Sequence, residues 1–384
     1  MTGPRTILFF QYGNFAEAWE QLAAGGLETY RDQRMSVDYV ENLPENSVIV
    51  SLSCDHECRQ LTKRMSAIGI PVEALTKQRI AQLFNTHAPD LVVLRTPHVG
   101  ILEVAKRYAI PVLPCFADIF RGGGVRRRWS NWRLRRLLAA DSIICVANHN
   151  LNASRSVATV LGVPKNRIVP WDWSRIPSNP VPKEVPSVEP RAFFAGGLTE
   201  DKGVGDCLQA VALLKSRGQR FHFSFAGSGQ LDHFKKIVDD LGIADQVTWL
   251  GTIANVEVRE AMRAHDLVVV PSRHGYNEGL PNTIYEGLAS RSPLIVSDHP
   301  AFTGRIPQEA CLIFRAADAE DLAAKLDAAV NEPGLYAKLS SNSETAVDQL
   351  YLGLEWDALM SIWLDDPNDR TGWVSKHSLV ALGH

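Results

Sequence analysis

Short runs rich in β-branched residues recur along this chain in two rounds, with helix-length segments between them and a proline-rich break in the middle. Ile7–Phe10, Val48–Leu52, Leu91–Leu94, Val112–Leu113, Ile143–Val146 and Ile168–Val169 make the first round. Phe193–Ala195, Phe221–Phe225, Val247–Leu250, Leu267–Val270, Leu294–Val296 and Leu312–Phe314 make the second. Runs this short and apolar, spaced with room for a crossover helix, predict parallel strands covered on both faces. The break holds Pro177, Pro180, Pro182, Pro186 and Pro190 with little apolar content, which marks a linker. A chain of 384 residues also exceeds the usual size for one core. The expected architecture is α/β: two Rossmann-like parallel-sheet domains facing each other across a cleft. Residues 1–176 form the first domain, 177–190 the linker, 191–350 the second domain and 351–384 a C-terminal helix and tail. Ligands of such sheets bind beyond the carboxyl ends of the strands, so the reaction is expected in the cleft.

Composition narrows the class. No apolar run approaches the roughly 18 residues needed to cross a bilayer, and the N-terminus lacks a basic segment followed by a long apolar core, so the chain is expected in the cytoplasm. Cys115, Cys145, Cys207 and Cys311 sit in or beside apolar segments, as reduced core thiols do. Cys54-Asp55-His56-Glu57-Cys58 is the one cluster, and it lacks the second pair of ligands that zinc needs. Phe225-Ala226-Gly227-Ser228-Gly229 is not the glycine fingerprint of a dehydrogenase.

Chemistry concentrates at Glu278-Gly279-Leu280-Pro281-Asn282-Thr283-Ile284-Tyr285-Glu286, which follows the apolar run Leu267–Val270. Pro281 suits a first helical turn, leaving the amides of Gly279 and Leu280 facing outward at a helix start, where the dipole favours phosphate. Glu278 then lies just before this anion site and Glu286 more than a turn into the helix. One carboxylate can accept from a transferred sugar and the other from a ribose. Taken alone, the residues leave open a plainer reading, with Glu278 as a cap and Glu286 as a solvated charge.

The stretch 267–298, ending Ser292-Pro293-Leu294-Ile295-Val296-Ser297-Asp298, closely resembles the nucleotide-binding signature of retaining glycosyltransferases of family 4, which have the GT-B fold. The resemblance is strongest over 191–300 and weak before 140. It implies that Glu278 contacts the donor sugar and Glu286 the ribose hydroxyls. It also implies that the helix around Trp356 and Trp363 crosses back onto the N-terminal domain. In Gly196-Gly197-Leu198-Thr199-Glu200-Asp201-Lys202-Gly203, Lys202 is the expected diphosphate counter-charge. Gly197 occupies the position of an arginine in the family, and Arg273 is a candidate substitute. The turn at Gly227 is expected to line the nucleotide pocket, and the backbone around Thr252 and Ile253 to hold the base.

In the first domain, Gly25-Gly26-Leu27-Glu28 resembles the family's glycine-pair loop, whose amides at a helix start lie against the diphosphate. Before Asp118 the family has a histidine where this chain has Ala117; Asp118 matches the acidic residue, and His98 is the nearest other histidine in sequence. Residues 1–180 carry 22 Lys+Arg against 15 Asp+Glu. Much of that excess lies in Arg126, Arg127, Arg128 and their neighbours, interleaved with Trp129 and Trp132. Arginine with interfacial tryptophan suits an anionic membrane surface or a charged acceptor, and a solvated helix is the plainer alternative. Nothing suggests nucleic-acid reading.

The leading expectation is a retaining hexosyltransferase that moves sugar from a nucleoside diphosphate donor to a hydroxyl of a glycan or lipid-linked acceptor, at the inner face of the membrane. Glu278, Lys202 and Asp118 are its catalytic candidates. No Asp-x-Asp pair is present to carry a metal, so no cofactor is expected. A non-catalytic sugar-nucleotide-binding module and an epimerase of the same architecture are the rivals.

Overall fold

The computed structural model describes residues 4–384, and the chain divides into two compact units. Unit 1 comprises residues up to Leu27, Asp32–Ser174 and Leu352–His384; unit 2 comprises Glu28–Arg31 and Arg175–Tyr351.

Unit 1 holds an eight-stranded sheet. Its strands are β1 (Thr6–Gln11), β2 (Asn46–Ser51), β3 (His56–Gln60), β4 (Met65–Gly69), β5 (Leu91–Leu94), β6 (Val112–Phe116), β7 (Val146–His149) and β8 (Ile168–Trp171), in the order β3-β4-β2-β1-β5-β6-β7-β8. All pairs are parallel except β3 with β4. Successive residues of β1 enter opposite cores, Leu8 and Phe10 on one face and Ile7 and Phe9 on the other, so both faces are covered. Helix Trp356–Asp365 places Trp356, Leu359, Met360 and Trp363 in the second of these cores, which returns the C-terminal segment to unit 1.

Two strands lie outside the apolar runs. Polar β3 is an exposed edge strand, and β4 (Met-Ser-Ala-Ile-Gly) has a single β-branched residue, so neither carries the apolar signal. The run Ile143–Val146 only touches its strand, because β7 begins at Val146.

Unit 2 has a six-stranded parallel sheet: β9 (Arg191–Ala195), β10 (His222–Ala226), β11 (Val247–Gly251), β12 (Leu267–Val270), β13 (Leu294–Ser297) and β14 (Cys311–Phe314), in the order β11-β10-β9-β12-β13-β14. The chain winds from β9 to one side through β10 and β11, then restarts at β12 on the other, so the topological switch point lies between β9 and β12. In unit 1 the equivalent point lies between β1 and β5.

The proline-rich stretch packs on unit 2. The amide of Asn179 donates to Ala289 O, that of Lys183 to Ser340 Oγ and that of Ser187 to Asp266 Oδ1. The amine of Lys183 donates to Ser292 Oγ and to the carbonyl of His265. Proline removes donors but leaves carbonyls and side chains free to bond, so the stretch is strapped down along unit 2. Among the described residues no helix is long and apolar enough to cross a membrane.

Candidate functional site

The strand ends of unit 2 are joined backbone to backbone. Gly196 N donates to Ala226 O, Leu198 N to Ser228 O and Gly227 N to Gly251 O. A Cβ on Gly227 would lie 1.9 Å from Gly196 O, and its φ of +139° is one that only glycine adopts readily. A cavity of about 280 Å³ opens beside these turns, floored by Gly196, Gly197, Gly227 and Ser228. Thr252 and Ile253 form one wall; Asn282, Thr283 and Glu286 of helix Asn282–Ala289 form another.

Glu286 is buried at 2% exposure, and its Oε1 accepts from Asn255 Nδ2 at 2.7 Å. A carboxylate buried on a cavity wall can accept hydroxyl donors there and is not a solvated surface charge. Of the donor-binding residues expected from sequence, Gly197, Gly227, Thr252, Ile253 and Glu286 all line this cavity.

At the switch point, Lys202 follows β9 and Glu278 follows β12. Lys202 Nζ lies 2.5 Å from Glu278 Oε2, which also accepts from Ser272 Oγ at 2.8 Å. The ammonium stands 4.5 Å from the centre of the Tyr276 ring. Both charged side chains are largely buried, so their attraction is only weakly screened.

Three expectations are corrected. Arg273 does not serve the cavity: its guanidinium forks onto Asp206 at 2.6 and 2.9 Å and reaches Glu200 at 3.2 Å. Asp206 raises its pKa, and the charge is spent inside the unit. Helix Asn282–Ala289 starts one residue later than expected, with Pro281 as N-cap, so Gly279 and Leu280 belong to the preceding loop and Leu280 is buried. The first-turn residues on the cavity are Asn282 and Thr283. Gly25 and Gly26 close a helix instead of opening one. They follow Phe15–Ala23, and their amides donate to Leu22 O and Gln21 O, which leaves them no part in an anion site. The glycine at a helix start is Gly13, with φ of +87°, just before the N-cap Asn14.

Asp118 lies exposed in the loop after β6, and its backbone carbonyl accepts from Asn148 Nδ2 at 3.1 Å. His98 caps its own helix, Val99–Arg107, through Nδ1, and burial lowers its pKa. Its Nδ1 is taken up by that cap. Arg126, Arg127, Arg128, Trp129 and Trp132 lie on helix Val125–Leu138, which buries Leu134 and Leu138. Trp129 and Trp132 are half exposed, Arg133 stacks on the first at 4.8 Å and Arg136 on the second at 4.9 Å.

Residues Thr29, Tyr30 and Arg31 also line the cavity, although they come from the N-terminal part of the chain. Arg31 lies over Tyr285 at 4.9 Å, and Glu28 O accepts from Asn255 N. No local pattern in the sequence announces this segment.

Two parallel-sheet units, with the last helices returned to the first unit, are the architecture of GT-B glycosyltransferases. Sucrose-phosphate synthase from Thermosynechococcus elongatus superposes with a TM-score of 0.67 at 16% identity, covering 94% of this chain and 98% of that one. Anabaena HepE, solved in complex with UDP, gives 0.63 at 14% identity over 96% and 98%. Residues 177–346 match the family model of Glycosyl transferases group 1. Sequence relatives include the amylovoran biosynthesis glycosyltransferase AmsK of Erwinia amylovora, 29% identical over 113 residues, and the alpha-D-kanosaminyltransferase of Streptomyces kanamyceticus, 31% identical over 110. The chain spans 28% of the length of each, and each match covers 28% of this chain.

Proposed function

We propose that the protein is a retaining, metal-independent glycosyltransferase that moves a hexose from a nucleoside diphosphate sugar to a hydroxyl of a glycan or lipid-linked acceptor, in polysaccharide biosynthesis. The observation that carries this reading is the spacing of the two glutamates of one motif. Glu278 is paired with Lys202 at the switch point, and Glu286 is buried in the adjoining cavity wall.

In this reading the ribose hydroxyls donate to Glu286 and the base rests against Thr252 and Ile253. The tight glycine turns at Gly196 and Gly227 admit the diphosphate, whose charge Lys202 meets as the bond from phosphate oxygen to anomeric carbon breaks. The acceptor oxygen attacks on the face the leaving group vacates, and the departing phosphate oxygen takes its proton. Glu278 orients the sugar and no protein base is needed. HepE is solved with UDP and with UDP-glucose, which makes these the first compounds to try. The arginine-rich helix Val125–Leu138 holds the protein at an anionic membrane surface.

The test incubates the protein with a panel of sugar nucleotides and follows release of nucleoside diphosphate, with and without acceptor glycans. Turnover that disappears in Glu278→Ala while UDP still binds supports the reading. Unchanged turnover in that variant, or no turnover with any donor, overturns it.

A further inference from the structure

The switch point of unit 1 carries an arginine that the donor chemistry does not use. Gln11 is the last residue of β1 and Arg95 the first after β5, and these two strands part the sheet into its two windings. Crevices at such points are where open parallel sheets take their ligands. Arg95 Nη1 donates to Gln11 Oε1 at 3.1 Å, which ties the two strand ends together. The guanidinium lies over two indoles, Trp173 at 5.8 Å and Trp356 at 5.4 Å.

Other arginines of this unit are matched with acids: Arg5 with Glu45, Arg59 with Glu20, Arg133 with Glu103. Among the described residues no carboxylate lies within 4.0 Å of Arg95. The two indole centroids are only 6.0 Å apart, so both rings lie to one side of the guanidinium, and of its five N–H donors one is spent on Gln11. A half-buried cation tied at one nitrogen, with N–H donors left over, is matched to a planar or tetrahedral oxyanion. The basic balance of residues 1–180 favours the same sign of ligand.

We propose that Arg95 anchors an oxyanion carried by the acceptor, either a phosphate ester or a sugar carboxylate, and so selects phosphorylated or acidic acceptors over neutral ones. This rests on the glycosyltransferase reading above and adds to it that unit 1 takes the acceptor. Gln11 is the positioning residue, since its side-chain oxygen accepts from the fork and ties it to the end of β1.

The experiment is saturation-transfer NMR on the full chain with three probes: glucose 1-phosphate, methyl α-glucuronide and neutral methyl α-glucoside. At least one anionic probe is expected to bind at least tenfold more tightly than the neutral one, and whichever binds better identifies the oxyanion. Arg95→Gln should remove that preference, whereas Arg95→Lys should keep part of it, and Gln11→Ala should weaken it several-fold. UDP affinity and thermal melting, measured in parallel, should be unchanged in the Arg95 variants. Equal binding of charged and neutral probes, or a preference that survives Arg95→Gln, overturns the proposal; should that variant fail to fold, wild-type probe preference and Gln11→Ala decide. A protein that transfers sugar but shows no such preference defeats only the Arg95 assignment. One that prefers the anion but never transfers defeats the glycosyltransferase reading instead.

Discussion

Lys202 Nζ and Glu278 Oε2 stand 2.5 Å apart although their residues are 76 positions apart in the chain. Their side chains are 17% and 10% exposed, so removing one partner leaves the other charged and poorly hydrated. Glu278→Gln and Lys202→Met should each destabilise unit 2 by about 1–3 kcal/mol, and the double variant should recover most of that loss. Activity should follow a different pattern, falling on the order of 10²–10³-fold in each single variant and not recovering in the double variant. Urea denaturation beside turnover assays checks both halves.

Glu286 is expected to set nucleotide affinity. Its buried carboxylate is held by Asn255, and a hydrogen bond to a charged group contributes about 1.5–3 kcal/mol. Glu286→Gln should therefore weaken UDP binding by roughly 10- to 100-fold. Calorimetric titration reads this directly, and an unchanged Kd would remove Glu286 from the site.

The glycine turns separate into a closed and an open case. Gly227→Ala drives a methyl into Gly196 O at a strained φ and should cost about 2–4 kcal/mol, with loss of UDP binding. At Gly197 an added Cβ meets nothing within 4 Å, so Gly197→Ala should change stability by less than about 0.5 kcal/mol. Gly197→Arg, which restores the cation seen in the resembling family, should tighten donor binding several-fold. Melting curves and titrations of the three variants decide.

Lys183 gives a pH signature. Burial first, then the charges of Arg263 and Arg191, lower its pKa from 10.5 to about 7, against the opposing pull of Asp266. Between pH 7 and 10.5 the unfolded chain holds a proton there that the folded one has released, so stability should rise with pH across that window. The slope contributed is at most about 1.4 kcal/mol per pH unit. Urea midpoints at pH 7 and 9, compared with those of Lys183→Met, isolate it; an identical difference in the variant would assign the slope elsewhere.

Helix Val125–Leu138 should bind anionic vesicles. Each cation near such a surface contributes about 1 kcal/mol, so neutralising Arg126, Arg127 and Arg128 together should lower partitioning roughly 100-fold. Co-sedimentation with phosphatidylglycerol liposomes measures this, and partitioning that survives the triple change, with Trp129→Ala added, would leave the helix merely solvated.

Much of unit 2 is legible in the sequence. All six of its strands are apolar runs of β-branched and aromatic residues between turn signals, and that signal is local. The glutamate motif is legible for the same reason, because loop and helix start lie within nine consecutive residues. Unit 1 is less so: β3 has no β-branched residue and β4 only one, and the pair Gly25-Gly26 looks the same whether it opens a helix or closes one.

The sequence by itself determined the two rounds of parallel strands, the proline-rich interruption and the acidic motif, all of which depend on neighbours within a few positions. Tertiary structure alone decided that Arg273 is consumed by Asp206, that Lys202 meets Glu278, that residues 29–31 complete the wall of a cavity in unit 2, and that Arg95 joins Gln11 from 84 positions away. The reason is physical: strand periodicity is set along the chain, whereas the partner of a charge is set by which strand ends the sheet order brings side by side.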